Sequence, residues 1–371
     1  MKTLAVAIPM RQDCGIRDHA DFLNTELREK WRLIEIEMPH NGRISTWRKI
    51  AKKNNSADLV LIHYEYSLFS SVKPYRNCFG AFINSLNAPA IVIFHDLLPE
   101  LIPHRSYENR VHMKDYVRNL VYLPFFSNWT KKQYSLADHL IVHAHQLRKK
   151  IMKICVNADV TFAEHPIPQS TVRWCSNQAK KYTFVTPGFI KQHKGYLDFI
   201  KILLARPDWN WLIAGGPQTE ADQGYAITLQ KQINEIGLND RVIISGYQSR
   251  EILDKEIVQE SLAVFTYQQV TNSGDVAWAI GAGMPVMTTD LETFTNLKAA
   301  HAGLALLPSG QVTQWSSIID GLLGDSDRQK TLASSNFEFA NTNSYAKMAD
   351  LIDNIAITLL QKQCQPGDRV G

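Results

Sequence analysis

Short continuous apolar runs alternate with longer amphipathic segments along the whole chain. In the first half the runs predict strands at Leu4–Ile8, Arg32–Glu37, Leu59–His63, Ala90–Phe94, His139–His143 and Asp159–Phe162. In the second half they predict strands at Tyr182–Thr186, Trp211–Ala214, Arg241–Ser245, Leu262–Thr266, Pro285–Thr288 and Gly303–Leu307. Helical periodicity fills the intervals, for example over Asp18–Lys30, Tyr116–Gln133, Asp222–Ile236 and Ser249–Glu260. Unbroken Val/Ile/Leu runs mark strands buried on both faces, so the sheets should be mostly parallel. Strands in two groups, each alternating with helices, predict an α/β chain of two doubly wound, Rossmann-like domains facing a cleft. The polar stretch Pro166–Lys181, with two prolines and no periodicity, reads as the linker. The predicted layout is a first domain over residues 1–168, a linker over 169–181 and a second domain over 182–342. The helical pattern Ser344–Gln361 lies in a last segment, 343–371, which can dock back on the first domain and ends in a frayed tail.

Composition narrows the class. With 371 residues, 45% hydrophobic and 20% charged, the chain is long enough for two ordinary cores. The formal net charge of +4 suits anionic ligands and does not demand nucleic acid. Five scattered cysteines without a C-x-x-C pair read as free thiols of a reducing compartment. The N-terminal apolar run is too brief for a signal peptide, and no run approaches the ~20 residues that span a bilayer. The expectation is a cytoplasmic protein able to touch the inner face of a membrane.

Ligands of open parallel sheets bind beyond the carboxyl ends of the strands. The most informative stretch sits there: Gly188-Phe189-Ile190-Lys191-Gln192-His193-Lys194-Gly195, between a predicted strand and the apolar-periodic Tyr196–Leu204. Backbone N–H groups, a helix start and two ammonium groups can surround one phosphate or diphosphate. Further along, Asn272, Ser273, Gly274 and Asp275 open a helix rich in small residues and can offer N–H groups and a hydroxyl to phosphate. Asp275 would repel a diphosphate unless a lysine or a sugar hydroxyl compensates it. Gly216 marks another tight loop at a strand end, and Tyr247 can border a nucleobase. In the first half, Gly15 lies at the first strand-to-helix turn, His95 and Asp96 follow the fourth predicted strand, and Glu65 follows the third. His95 can hydrogen-bond a sugar hydroxyl or assist a proton, and Glu65 can bind acceptor hydroxyls.

These motifs, in this order, resemble the retaining glycosyltransferases of family four, which have the GT-B fold. Gly188–Gly195 is similar to that family's G-F-I-R-x-x-K-G loop, with Lys191 in place of arginine. Ser273-Gly274 through Gly283-Met284-Pro285-Val286 is similar to S-G-x-x-x-E-A-x-x-x-G-x-P-V. His95-Asp96 resembles the family's strand-end histidine, and Gly15 its N-terminal glycine loop. The resemblance implies a nucleotide-diphosphate sugar held mainly by the second domain, no cofactor and no metal. It implies transfer to a glycan or lipid-linked acceptor with retained configuration. Lys191 and Lys194 would neutralise the leaving diphosphate, His95 would contact the transferred sugar, and Asp96 and Glu65 would lie on the acceptor side. One position departs: the family's ribose-binding glutamate is replaced by Trp278, and an earlier glutamate by Val270. An indole cannot accept hydrogen bonds from ribose. Ribose is then held by Asp275 or by stacking, or the donor is bound in an unusual way, or transfer has been lost.

Arg105–Gln133 mixes basic and aromatic residues, and Arg48, Lys49, Lys52 and Lys53 add a second basic cluster. Such surfaces suit an anionic membrane and a lipid-linked acceptor. They also suit an alternative in which the acceptor is a modified DNA base. A second alternative, motivated by Trp278 and Val270, is a catalytically degenerate binding partner of an active transferase. An epimerase would need a carboxylate pair placed for two-sided proton transfer, and the sequence offers none.

Overall fold

The computed structural model describes residues 1–10, 15–39, 42–69, 77–95, 129, 131–170, 172–175, 182–258, 262–270 and 272–364. The chain divides into two units: residues 1–164 together with 345–371, and residues 165–344.

The first unit is built on six parallel strands: β1 (Thr3–Pro9), β2 (Arg32–Met38), β3 (Leu59–Tyr64), β4 (Ala90–Phe94), β5 (His139–Val142) and β6 (Val160–Phe162). Their spatial order is β2-β1-β3-β4-β5-β6. All of β3 and β4, and β1 after Thr3, are buried. This is what continuous apolar runs require when helices cover both faces. One face packs on Trp47, Phe69, Phe79 and Phe82, with Trp47 and Ala51 projecting inward from α2 (Ile44–Lys53). Arg48, Lys49, Lys52 and Lys53 occupy the exposed side of the same helix. The short α3 (Phe79–Ile83) and α4 (His145–Ile154) complete this layer.

The other face packs on α1 (Gly15–Leu27) through Leu23 and Leu27, and on the last helix of the chain, Tyr345–Cys364. That helix turns Met348, Ile352, Ala356 and Leu359 inward at three- and four-residue spacing, an amphipathic face that needs a partner. Trp31 Nε1 donates to Asp353 Oδ1 at 3.0 Å, and Lys30 pairs with Asp350 at 2.9 Å. Full burial of each large aliphatic side chain contributes about 1.5–3 kcal/mol, so the terminal helix is part of the first unit's core.

The second unit repeats the plan with β7 (Phe184–Pro187), β8 (Trp211–Ala214), β9 (Val242–Ile244), β10 (Leu262–Phe265), β11 (Val286–Thr289) and β12 (Leu304–Leu307). Their order is β12-β11-β10-β7-β8-β9, again all parallel. The helices are α5 (Tyr196–Leu204), α6 (Glu220–Glu235), α7 (Gly274–Gly281), α8 (Glu292–Ala299), α9 (Val312–Leu323) and α10 (Ser326–Thr342). The helix expected over Ser249–Glu260 is instead one α turn, Arg250–Ile252, followed by a widened π turn, Leu253–Ile257. Of the expected linker, Trp174 is buried against the second unit and its N–H bonds the Ala282 carbonyl. The expected helix Tyr116–Gln133 and the basic segment from Arg105 lie outside the described residues, except for Trp129 and residues 131–133. Among the described residues no helix is long and apolar enough to cross a membrane. Cys78, Cys155 and Cys175 are free thiols.

Candidate functional site

The motifs of the second unit meet at the carboxyl edge of its sheet. After β7, residues Gln192–Lys194 make one 3₁₀ turn, closed by Gly195 at φ 70° before α5 begins. A side chain at Gly195 would place its Cβ 2.1 Å from the Thr266 carbonyl. That carbonyl belongs to the residue just after β10, and the Thr266 hydroxyl donates to the Lys194 and Gly195 carbonyls at 3.0 and 3.1 Å. The loop is thus clamped onto the end of β10, and Gln268 N–H bonds the His193 carbonyl at 2.8 Å.

This clamp turns Lys194 inward. Its ammonium lies 2.6 Å from Asp275 Oδ2, with the lysine side chain 5% and the aspartate 30% exposed. Asp275 stands in the first turn of α7, capped by Ser273, whose Oγ accepts from Val276 N–H at 3.2 Å. The same Oγ lies 2.9 Å from the Tyr267 hydroxyl, which reaches Asp275 Oδ2 at 3.5 Å. Burial, and then the Asp275 charge, raise the Tyr267 hydroxyl well above its ordinary range, so it stays protonated. Gly188, at φ 95°, lies under this carboxylate: a Cβ there would be 2.1–2.3 Å from the Asp275 carboxylate atoms. Gly188, Lys194, Ser273 and Asp275 therefore form one cluster, with Tyr267 as a member that sequence reasoning missed. Its signal was its place two residues past the end of β10.

Lys191 differs from Lys194. Among the described residues it makes no side-chain hydrogen bond or ion pair. Its charge is felt at His193, whose imidazole is lowered by burial first and then by Lys194 and Lys191. The two lysines thus differ in their surroundings: Lys194 is paired with Asp275, and Lys191 has no such counter-charge among the described residues. The repulsion expected of Asp275 is met by the same pair.

The remaining second-unit candidates spread along the same edge. Gly216 accepts from Ile190 N–H at 2.9 Å and lies against the Gly246–Tyr247 backbone. Tyr247 is 68% exposed and stacks on Phe189 at 5.9 Å between centroids. Asn272 is half-buried, and Gly274 begins α7 with open space where a Cβ would stand. Trp278 needs correction as a ribose neighbour. It is 3% exposed, lies in the core and donates its indole N–H to Asp254 Oδ1 at 2.8 Å. No ring face is open for stacking. Asp254, on the π turn, was another residue missed.

In the first unit, Gly15 opens α1 with nothing within 4 Å of an added Cβ. Glu65 follows β3 and is half-buried. Asp96 lies outside the described residues. His95 follows β4, partly exposed, and its Nε2 lies 3.0 Å from His63 Nδ1 at the end of β3. His19 on α1 packs edge-on against both rings, 5.4 Å from His63 and 4.8 Å from His95. Burial alone lowers His63 to about 3, so it is neutral near pH 7. Ligand atoms of His19, His63 and His95 fall within 4.8 Å of one another, a span that suits a metal ion. A metal-ligating imidazole normally donates its other N–H to an acceptor. His63 Nε2 is buried and has no partner among the described residues. The donor set therefore fits a hydrogen-bonded pair better than a metal centre.

Residues 173–338 match the model of the family glycosyl transferases group 1. That span lies within the second unit and contains its whole cluster. Comparison with curated proteins found no match. Among solved structures, the chain is similar to a sucrose-phosphate synthase from Thermosynechococcus elongatus, with TM-score 0.74 and 12% identity over 98% of this chain and all of that one. It is similar to the Anabaena protein HepE in complex with UDP-glucose, with TM-score 0.71 and 14% identity over 96% of this chain and all of that one. A glycosyltransferase from Rickettsia africae gives TM-score 0.67 and 12% identity over 97% of this chain and 98% of its own. At these identities the likeness establishes the fold: two Rossmann-like units of the GT-B type.

Proposed function

We propose that this chain, whose residues 173–338 match the model of the family glycosyl transferases group 1, is a retaining glycosyltransferase that uses a nucleotide-diphosphate sugar and no metal ion. The observation that carries the reading is the cluster at the ends of β7 and β10. There Gly188 leaves room for Asp275, Asp275 holds Lys194, and Lys191 on the same loop has no ion pair among the described residues. Support also comes from HepE, a structure of the same fold solved with UDP-glucose.

In this reading the bond from the anomeric carbon to the diphosphate oxygen breaks, and its electron pair stays on the diphosphate. Lys191 faces that growing charge, an electrostatic role that counts for more in a water-poor site than in bulk water. The N–H groups at the start of α7 add a fixed positive field, and the Lys194–Asp275 pair anchors the loop that carries Lys191. The acceptor hydroxyl oxygen bonds the anomeric carbon on the face that the diphosphate leaves, and its proton passes to the departing oxygen. His95 is assigned a hydrogen bond to the transferred sugar, and Glu65 and Asp96 contacts with the acceptor.

The acceptor class is a glycan or glycolipid hydroxyl. The exposed basic side of α2 supports a lipid-linked acceptor reached at an anionic cytoplasmic membrane face. Flotation with phosphatidylglycerol vesicles tests that part. Equal recovery with and without anionic lipid removes it.

A second reading, a binding partner that does not transfer, is favoured by one observation: Trp278 is a core indole where the resemblance places the ribose-binding carboxylate. Titration calorimetry with UDP, GDP and UDP-glucose, followed by a nucleotide-release assay with candidate glycolipids, separates the readings. The transferase reading expects binding of at least one nucleotide, weakened about tenfold or more by Lys191→Ala, a loss of ~1.4 kcal/mol. It also expects acceptor-dependent release. Wild type that binds none of the three, or equal binding by Lys191→Ala and Lys194→Ala, overturns it.

A further inference from the structure

The two helical layers of the first unit carry different charge. On one face of the sheet, α2 and α4 hold four lysines and arginines each, and neither they nor α3 hold an aspartate or glutamate. On the opposite face, α1 and the terminal helix set five acids against Arg17, Lys347 and Lys362. Core packing fixes this division. Trp47, Ala51, Leu147 and Ile151 tie α2 and α4 to one face, and Leu23 and Ile352 tie α1 and the terminal helix to the other.

On α4, Leu147 and Ile151 face inward, so Arg148, Lys149, Met152 and Lys153 stand outward in two rows at four-residue spacing. Met152 is 48% exposed, and Val156, two residues past the helix, is 83% exposed. On α2, Ile44 is exposed beside the basic side described above. Among the described residues, the exposed cations of both helices make no ion pair. The first acid after each helix is engaged elsewhere. Asp58 Oδ2 accepts from Thr3 N–H at 2.7 Å, and Asp159 pairs with Lys362 at 3.7 Å.

Cations gathered without counter-charge repel one another and attract an external anion. α2 joins β2 to β3 and α4 joins β5 to β6, so about three strands separate them, roughly 15 Å at ~4.8 Å per strand. A single phosphate cannot reach both helices, whereas an extended anionic surface can. Duplex nucleic acid is extended too, but its phosphates offer nothing to an exposed methionine and valine. The interfacial layer of a bilayer takes up apolar side chains while its headgroups meet the cations around them.

We propose that the layer from α2 to α4 docks on a bilayer rich in anionic phospholipid, with α4 as a contact equal to α2. Arg148, Lys149 and Lys153 lie at the headgroups, and Met152 and Val156 enter the interfacial layer. This deepens the lipid-linked-acceptor part of the proposed function and rests on that reading only for its purpose. Docking through a helical layer does not use the carboxyl edge of the sheet, where His95 and Glu65 follow their strands, so an acceptor held in the same membrane can be met there.

The test is flotation of the full chain, without nucleotide, on phosphatidylcholine vesicles with and without equimolar phosphatidylglycerol. Phosphatidylglycerol should strengthen wild-type partitioning about tenfold or more, and high salt should remove the gain. The triple variant Arg148→Gln, Lys149→Gln, Lys153→Gln should weaken partitioning about tenfold or more, and the double variant Met152→Ser, Val156→Ser about threefold. The triple variant Lys231→Gln, Lys255→Gln, Lys330→Gln removes the same charge from exposed places on the second unit and should stay within about twofold. In wild type, the vesicles should shield Lys149 and Lys153 from acetylation, read by mass spectrometry, which decides the matter even where a variant does not fold. Equal recovery with and without phosphatidylglycerol overturns the proposal. So does an α4 triple variant that floats like wild type, a second-unit variant that falls as far, or unshielded Lys149 and Lys153. Unchanged partitioning of the Met152/Val156 variant overturns the apolar insertion. Capture of wild type by duplex DNA, at a salt where the vesicles do not bind it, assigns the layer to nucleic acid and overturns the docking. The expected vesicle pattern in a protein that binds neither UDP nor UDP-glucose leaves the docking standing and removes the transferase reading.

Discussion

The ammonium of Lys194 and the carboxylate of Asp275, 81 residues apart, meet at 2.6 Å. The lysine is almost wholly buried, and burial without a counter-charge costs several kcal/mol. Asp275 supplies that charge from the first turn of α7. It also closes over Gly188, so three residues from two distant motifs depend on one another.

Removing the carboxylate should therefore cost more than removing the ammonium. Asp275→Ala leaves Lys194 buried beside no anion. Breaking a fully buried pair costs ~3–5 kcal/mol, and the partial exposure of Asp275 reduces this to about 1–3 kcal/mol. Lys194→Met keeps the volume and should cost less. Urea unfolding of both single variants and the double variant measures the coupling. A coupling below about 0.5 kcal/mol would show that the pair is not joined energetically.

Gly188 should tolerate no side chain. Its φ of 95° disfavours L residues, at about 1–2 kcal/mol, and a Cβ would displace the Asp275 carboxylate. Gly188→Ala should lower stability and nucleotide affinity together. In an Asp275→Ala background the same change should cost less, because only the backbone strain remains. Thermal unfolding of the four proteins checks this, and equal cost in both backgrounds contradicts the contact.

Trp278 should behave as core. Trp278→Phe removes the N–H bond to Asp254, worth about 0.5–1.5 kcal/mol plus lost packing. Trp278→Glu, which restores the residue type of the resembled family, places a second carboxylate beside Asp254 and should cost more than 3 kcal/mol. Adding Asp254→Asn should recover part of that. Chemical denaturation reads all three. A stable Trp278→Glu protein with tighter UDP binding would return this position to the ribose.

Acid should destabilise the first unit through His63. Its folded value, about 3, lies below the ordinary 6.5 because burial disfavours the cation. The unfolded chain then binds the extra proton between those values. Stability is fully present above about pH 6.5 and falls as pH drops, by ~1.4 kcal/mol per unit for this one group. His165, lowered to about 4 by burial, acts in the same direction in the second unit. Urea midpoints of wild type and His63→Asn at pH 7, 6 and 5 should converge as pH falls. Parallel curves would contradict the shift.

Much of the architecture was legible in the residues. The runs at Leu59–His63 and Ala90–Phe94 appear as fully buried strands because an unbroken apolar run has no solvent-facing side to alternate with. Ser249–Glu260 was misread in detail: helical periodicity does not distinguish an α turn from the π turn that carries Asp254. The loop from Gly188 to Gly195 was found from its glycines and lysines, which report local backbone needs. Tyr267 and Asp254 were not, because each acts through a partner on another element.

The order of residues alone determined two doubly wound parallel sheets, their strands and the glycine-bounded loops at the strand ends, since periodicity and turn chemistry are local. Tertiary structure alone decided which charge is spent and which is free. Lys194 and Lys191 look alike along the chain, yet the clamp by Thr266 turns one toward Asp275 and leaves the other without an ion pair among the described residues. The strength of a charge depends on what surrounds it, and three residues of spacing carry no record of that.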